Sequence, residues 1–269
     1  MDVNDPQAPS RIPAYLDRLQ GVGRYTFSLA EARQAGARSE ASLAASLARL
    51  KAQNRLASPR RGFYVIVPVE YRSAGAPPAA WFVDDLMAHL GHAYYVGLLT
   101  AAAYHGAAHQ QPQVFQVVTA EPVRPIATGR QRLEFTRNRK LARVPVVSRK
   151  TDTGHFVLAS AEATAFDLVR HPEACGHLDH VATVLTELAE VLDPAELVRA
   201  AEAASQADAR RLGYLLEQLG FGELVAPLAE HVTSLRRRRV LLAPKQPAGD
   251  RPPDPVWAVV PNHELQPDL

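Results

Sequence analysis

The chain has 269 residues, 47% of them apolar and 22% charged, which is enough material for two domains with separate cores. Its single cysteine, Cys175, excludes an intrachain disulfide, and no apolar run approaches the roughly 20 residues of a membrane helix, so a reducing cytoplasm is the expected setting. The formal net charge is only +2, but it is unevenly spread, and such asymmetry points to surfaces with different partners.

Residues 1–10 are polar with two prolines, and read as a disordered tail rather than a signal peptide. Ile12, Tyr15, Leu16 and Leu19 share one face of a first helix, which Gly21 and Gly23 stop. Ser28-Leu29-Ala30-Glu31 has capping-box spacing, predicting a short second helix that ends at Gly36. Ser39 opens a third, running to about Gln53, with Leu43, Leu47 and Leu50 at i, i+4, i+7 as its buried seam. The opposite face carries Arg38, Ala41, Ser42, Ala45, Arg49 and Gln53. These side chains are small or hydrogen-bonding, suited to a DNA major groove about 12 Å wide.

Two short strands follow, Leu56–Ser58 and Phe63–Val67, separated by the turn Pro59-Arg60-Arg61-Gly62. Three helices and a basic hairpin in this order predict a winged helix-turn-helix over 11–72. Arg38, Ser42, Ala45, Arg49 and Gln53 are expected to carry recognition. Arg60 and Arg61 are expected to grip the flanking minor groove or phosphates. Between Arg11 and Arg72 there are eleven Lys/Arg against four Asp/Glu, a charge that would neutralise phosphates and release counterions.

Ser73 to Ala79, small and proline-bearing, reads as a linker. The expected second domain, 80–243, is a small mixed sheet flanked by helices, making the whole chain α+β. Its predicted helices begin with Trp81–Leu90 and the nearly uncharged Tyr94–Ala107. Strands are predicted at Val114–Thr119, Arg132–Thr136, Val144–Ser148 and Phe156–Leu158. Five helices follow, over Glu162–Val169, Leu178–Leu192, Pro194–Ala204, Ala207–Leu219 and Leu224–His231. A proline-rich tail, 244–269, holds a last strand near 256–260.

Charge also marks this half. Glu121 to Lys150 holds nine cations against two acids, whereas Asp152 to Leu235 holds fourteen acids against four arginines. Arg124, Arg130, Arg132, Arg137, Arg139, Lys140 and Arg143 are therefore candidates for a second nucleic-acid or toxin-related surface. Arg236 to Arg239 suit either a phosphate clamp or a complement to the negative end of the preceding helix.

The run Tyr95-Val96-Gly97-Leu98-Leu99-Thr100-Ala101-Ala102-Ala103-Tyr104-His105-Gly106-Ala107-Ala108-His109-Gln110, with Pro112 and Val117-Val118, resembles the central signature of the AbiEi antitoxins. Ala159 to Val169 resembles the helix that follows that family's sheet, and Val256 to Asn262 its last strand. The resemblance extends over about residues 11–262. It implies a repressor that binds double-stranded DNA at inverted repeats in its own promoter. It also implies an antitoxin of a type IV toxin–antitoxin system, countering a nucleotidyltransferase-like toxin with or without a direct complex. An antitoxin acting by direct protein binding is the alternative.

Enzymatic chemistry finds little support. His105 and His109 have i, i+4 spacing, but Gly106 stands where a zinc protease carries Glu. His171, Cys175, His177 and His180 lack a second ligand pair at fixed spacing. No phosphate loop, dinucleotide fingerprint or nucleophile elbow occurs, and Glu134 has no second acid nearby to hold Mg²⁺. No catalytic residue, metal or cofactor is assigned, and a metal-dependent nucleic-acid enzyme remains the least favoured reading.

Overall fold

A computed structural model describes residues 11–35, 39–107, 112–236 and 238–266. By contact the chain divides into two compact units. The first comprises 1–93 with 123–135 and 149–156; the second comprises 94–122, 136–148 and 157–269. Among the described residues there are ten α-helices with short strands between them, a mixed α+β architecture.

The first unit opens with α1 (Arg11–Gly21), β1 (Thr26–Ser28), α2 (Leu29–Gln34) and α3 (Glu40–Ala52). The capping box forms as its spacing requires: Glu31 N donates to Ser28 Oγ at 3.2 Å and Ser28 N to Glu31 Oε2 at 2.7 Å. Ser39 caps α3 by accepting from Ser42 N at 3.1 Å. Asn54, at φ 51°, closes the far end while Arg55 N reaches back to Leu50 O at 2.9 Å.

Leu43, Leu47 and Leu50 are buried with Ile12, Leu16, Phe27 and Leu56, so the predicted seam is the core of this unit. Phe27 stacks on Tyr64, with ring centroids 5.2 Å apart. The strand at β1 was not anticipated, because three residues are too few to alternate.

β2 (Leu56–Arg60) and β3 (Phe63–Ile66) form an antiparallel hairpin, and β1 joins the other edge of β3, giving the order β1-β3-β2. The turn is tighter than the sequence suggested. Arg60 pairs with Phe63, leaving only Arg61 and Gly62 at the tip, with Gly62 at φ 78°. Pro59 is accommodated because the register shifts between Ala57 and Arg60, a bulge in an edge strand where no amide is needed.

Residues 73–79, expected to link two domains, pack within this unit. Ala76 and Ala79 are buried, and Ala74 O accepts from Arg130 N at 2.7 Å. α4 (Val83–Leu90) and the hairpin of β6 (Ile126–Thr128) and β7 (Gln131–Arg137) follow.

The second unit corrects one helix. Tyr94–Val96 is a strand, β4, and the helix α5 spans only Leu98–Tyr104. A fully buried strand shows no alternation, so an apolar run cannot be told from a core helix by period; the two tyrosines and a valine favour the extended form. β4 runs antiparallel to β5 (Phe115–Thr119) and parallel to β9 (Gly154–Ala159), which makes the sheet mixed.

β8 spans Val146–Thr151, two residues later than expected at its start. The helices α6 (Ala161–Arg170), α7 (His177–Leu188), α8 (Pro194–Ala203), α9 (Gln206–Gln218) and α10 (Gly222–Ser234) match the predicted series to within a few residues. β10 (Val240–Leu241) pairs in parallel with β11 (Val259–Val260), so the last strand starts at Val259 rather than Val256. Trp257 just before it is fully buried, and its Nε1 donates to Glu217 Oε2 at 2.7 Å.

Candidate nucleic-acid interface

α3 presents Ser42, Ala45 and Arg49 to solvent on the side away from the leucine seam, and Gln53 is exposed at its C-terminal cap. Arg38 lies outside the described residues, as do Gly36, His109 and Arg237. The exposed face is short-chained, so its backbone can approach a flat-sided ligand closely. Two cations of this unit are tied to acids, Arg24 to Glu31 at 2.6 Å and Arg33 to Glu40 at 2.9 Å. Arg49 and Arg61 enter no ion pair among the described residues.

The two hairpin arginines behave differently. Arg61 is exposed, while its carbonyl lies 3.2 Å from His89 Nε2. Arg60 is half-buried, and its Nη2 donates to the carbonyls of Arg124 and, at 3.4 Å, Pro125. Arg60 is thus already engaged with the protein's own backbone.

The basic block from Glu121 to Lys150 is divided between the two units. Arg124, Arg130 and Arg132 belong to the first unit, whereas Arg137, Arg139, Lys140 and Arg143 belong to the second. Arg137 pairs with Glu121 at 3.6 Å and bonds Ala120 O at 3.1 Å, and Lys140 Nζ donates to Ala204 O at 3.0 Å. Arg139 and Arg143 are exposed. Arg236, Arg238 and Arg239 are exposed after α10, which ends at Ser234.

Among the described residues the histidines do not gather. His105 Nε2 sits 2.8 Å from Ala159 O, a structural contact. Cys175 is buried, and its thiol is pushed up to about 12, first by burial and then by the charge of Asp167, whereas His177 and His180 are exposed. Among the described residues no group of three or more His, Cys, Asp or Glu is placed to hold a metal ion.

Sequence reasoning missed a buried polar network in the second unit. Tyr95 Oη donates to Asp167 Oδ2 at 2.8 Å, and Asn138 Nδ2 donates to Tyr95 Oη at 3.2 Å. Arg170 lies 3.7 Å from Asp167 and bonds Asp208 at 3.0 Å, with Arg211 3.4 Å from the other Asp208 oxygen. Burial raises Asp167 to about 6 despite Arg170, and burial again, with Asp167, pushes the Tyr95 phenol up. The available signal was a lone acid inside the run Ala163-Thr164-Ala165-Phe166-Asp167-Leu168-Val169. An acid in a helix with no polar face needs partners. The network ties α6 to α9 and to Tyr95, and the pocket beside Asp167 and Arg170 holds only about 10 Å³.

Residues 95–218 match the family model of the AbiEi antitoxin C-terminal domain. This segment is similar to an AbiEi antitoxin domain. The match supports an antitoxin role in a toxin–antitoxin system, and it includes stretches, 123–135 and 149–156, that pack in the first unit. The crystal structure of the RV2827C protein from Mycobacterium tuberculosis has the same fold, with a TM-score of 0.64 and 15% identity, covering 96% of this chain and 94% of that one. No curated protein matches the chain. No helix among the described residues is long and apolar enough to cross a membrane.

Proposed function

We propose that residues 11–72 are a winged helix-turn-helix and that the chain is a DNA-binding repressor of its own operon. The AbiEi domain acts in the same chain as antitoxin of a type IV system, countering a nucleotidyltransferase-like toxin. One observation carries the DNA reading: the order α1, β1, α2, α3, β2, β3 with the sheet order β1-β3-β2, and an α3 whose outward face holds Ser42, Ala45 and Arg49. A helix exposed in this way, next to a basic hairpin, fits a major groove while the hairpin tip meets the backbone.

In this reading Arg38, Ser42, Ala45, Arg49 and Gln53 read base edges and Arg61 contacts phosphate. The decisive experiment is a gel-shift titration of the full chain against the duplex upstream of its reading frame. Binding that weakens steeply with salt, and is stronger for that duplex than for a scrambled one, is expected. Absence of binding at low salt would sink the proposal. Co-purification with the toxin that survives high salt would favour action by direct protein contact.

A further inference from the structure

We propose that the loop 123–125 and the β6–β7 hairpin are a second grip of the DNA-binding unit, in which Arg124 and Arg132 meet duplex phosphates beside Arg61. The inference rests on the DNA reading above and extends it to a segment that the family match assigns to the antitoxin domain.

Three observations carry it. The first is placement. Residues 123–135 belong to one compact unit with α3 and the β2–β3 hairpin, and β6 packs on β2, although more than fifty residues of chain separate them. Arg60 makes the join: its guanidinium donates to the carbonyls of Arg124 and Pro125, which anchors the loop to the base of the Arg61-Gly62 turn.

The second is rigidity. Ile126 pairs with Leu133 and both are buried, so the hairpin is seated by its inner face. At its turn, Gly129 lies so close to the 74–76 backbone that a Cβ would come within 2.3 Å of Ala74 O, and Arg130 N donates to that same carbonyl at 2.7 Å. Both ends of the segment are held, so its outward side chains are carried on a fixed frame.

The third is uncompensated charge. Arg132 projects from the outer face opposite Ala127, and Arg124, Arg130 and Arg132 are all exposed. None of them enters an ion pair among the described residues, and Glu134 is the one acid on that hairpin face. Arg60 and Arg124 repel each other: burial and then the Arg124 charge lower the Arg60 guanidinium from its ordinary value. Like charges held together by main-chain bonds lose their mutual cost when an external polyanion supplies the counter-charge. A duplex backbone does so at regular intervals along both strands.

The test uses the full chain and a mixed-sequence duplex, with binding followed by fluorescence anisotropy across a salt series. Arg124→Ala keeps the carbonyl that Arg60 needs, so only the side chain is removed. Arg124→Ala and Arg132→Ala are each expected to weaken binding several-fold and to flatten the log–log salt slope by about 0.9, the value of one lost phosphate contact. Arg124→Lys retains the slope. Arg199→Ala, an exposed cation of the second unit bonded to Glu196 at 3.0 Å, leaves both quantities unchanged. Wild-type binding with unchanged slopes in both Ala variants overturns this inference and leaves the DNA reading intact. Failure of the wild type to bind any duplex overturns both. Equal thermal midpoints for the variants and wild type exclude misfolding as the cause.

Discussion

The two units put the same residue to opposite uses. In the first, Arg49, Arg61, Arg124 and Arg132 are exposed and enter no ion pair among the described residues. In the second, Arg170, Arg210 and Arg211 turn inward: Arg210 is fully buried and donates to Trp257 O at 3.2 Å and Val232 O at 3.0 Å, while Arg170 and Arg211 flank Asp208. A count of cations therefore says little about ligands. What matters is whether the fold has already supplied the counter-charge.

That contrast can be broken from either side. The largest effect is expected from Arg170→Ala, which strands Asp167 and Asp208 in the interior; loss of one partner of a buried pair costs about 3–5 kcal/mol. Urea unfolding should show it, with DNA affinity of the remaining folded fraction unchanged. A loss under 1 kcal/mol would mean that the network is solvated rather than buried.

Packing in the second unit gives a comparable handle. A Cβ at Gly213 would fall 2.0 Å from the Trp257 ring, so Gly213→Ala should cost about 1–3 kcal/mol or more of overpacking strain. A thermal midpoint equal to that of the wild type would show that the tail simply lifts away.

On the outward side, Arg49→Ala should leave the urea midpoint unmoved while reducing discrimination between operator and scrambled duplex by about 1–3 kcal/mol in competition titrations. Reduced stability with unchanged discrimination would invert the contrast.

The last handle concerns protons. The folded state holds the Asp167 proton to about 6 instead of 3.8, so it binds that proton more tightly than the unfolded chain does. Its contribution to stability is therefore full below 3.8 and lost as pH rises through about 6. Urea midpoints measured across that window should fall with rising pH in the wild type relative to Asp167→Asn. Parallel curves for the two proteins would assign the slope to other groups.

Local chemistry made much of this legible beforehand. Ser28 with Glu31, the seam of Leu43, Leu47 and Leu50, and the late helices from Ala161 onward all follow from contacts within a few residues. The failures share a different origin. Tyr94–Val96 reads as helix because burial on both faces erases alternation. The turn after Ser58 looks longer than it is because a bulge absorbs Pro59.

The assignment of 123–135 to the first unit depends on a hairpin whose partners lie far away in sequence, at Ala74 and Arg60. For the candidate site, the polar face of α3 could be drawn on a helical wheel. That Arg60 would be engaged by main-chain carbonyls could not, since no pattern in its own strand announces them.

The tryptophans have a practical consequence. Trp81 sits among Tyr25 and Tyr71, each 5.3 Å away between ring centroids, while Trp257 is enclosed beside α9. The chain has only these two, one in each unit, so each unit carries its own optical label. Replacing either with phenylalanine leaves a single emitter. Fluorescence then follows events in each unit as a separate signal, with no dye attached.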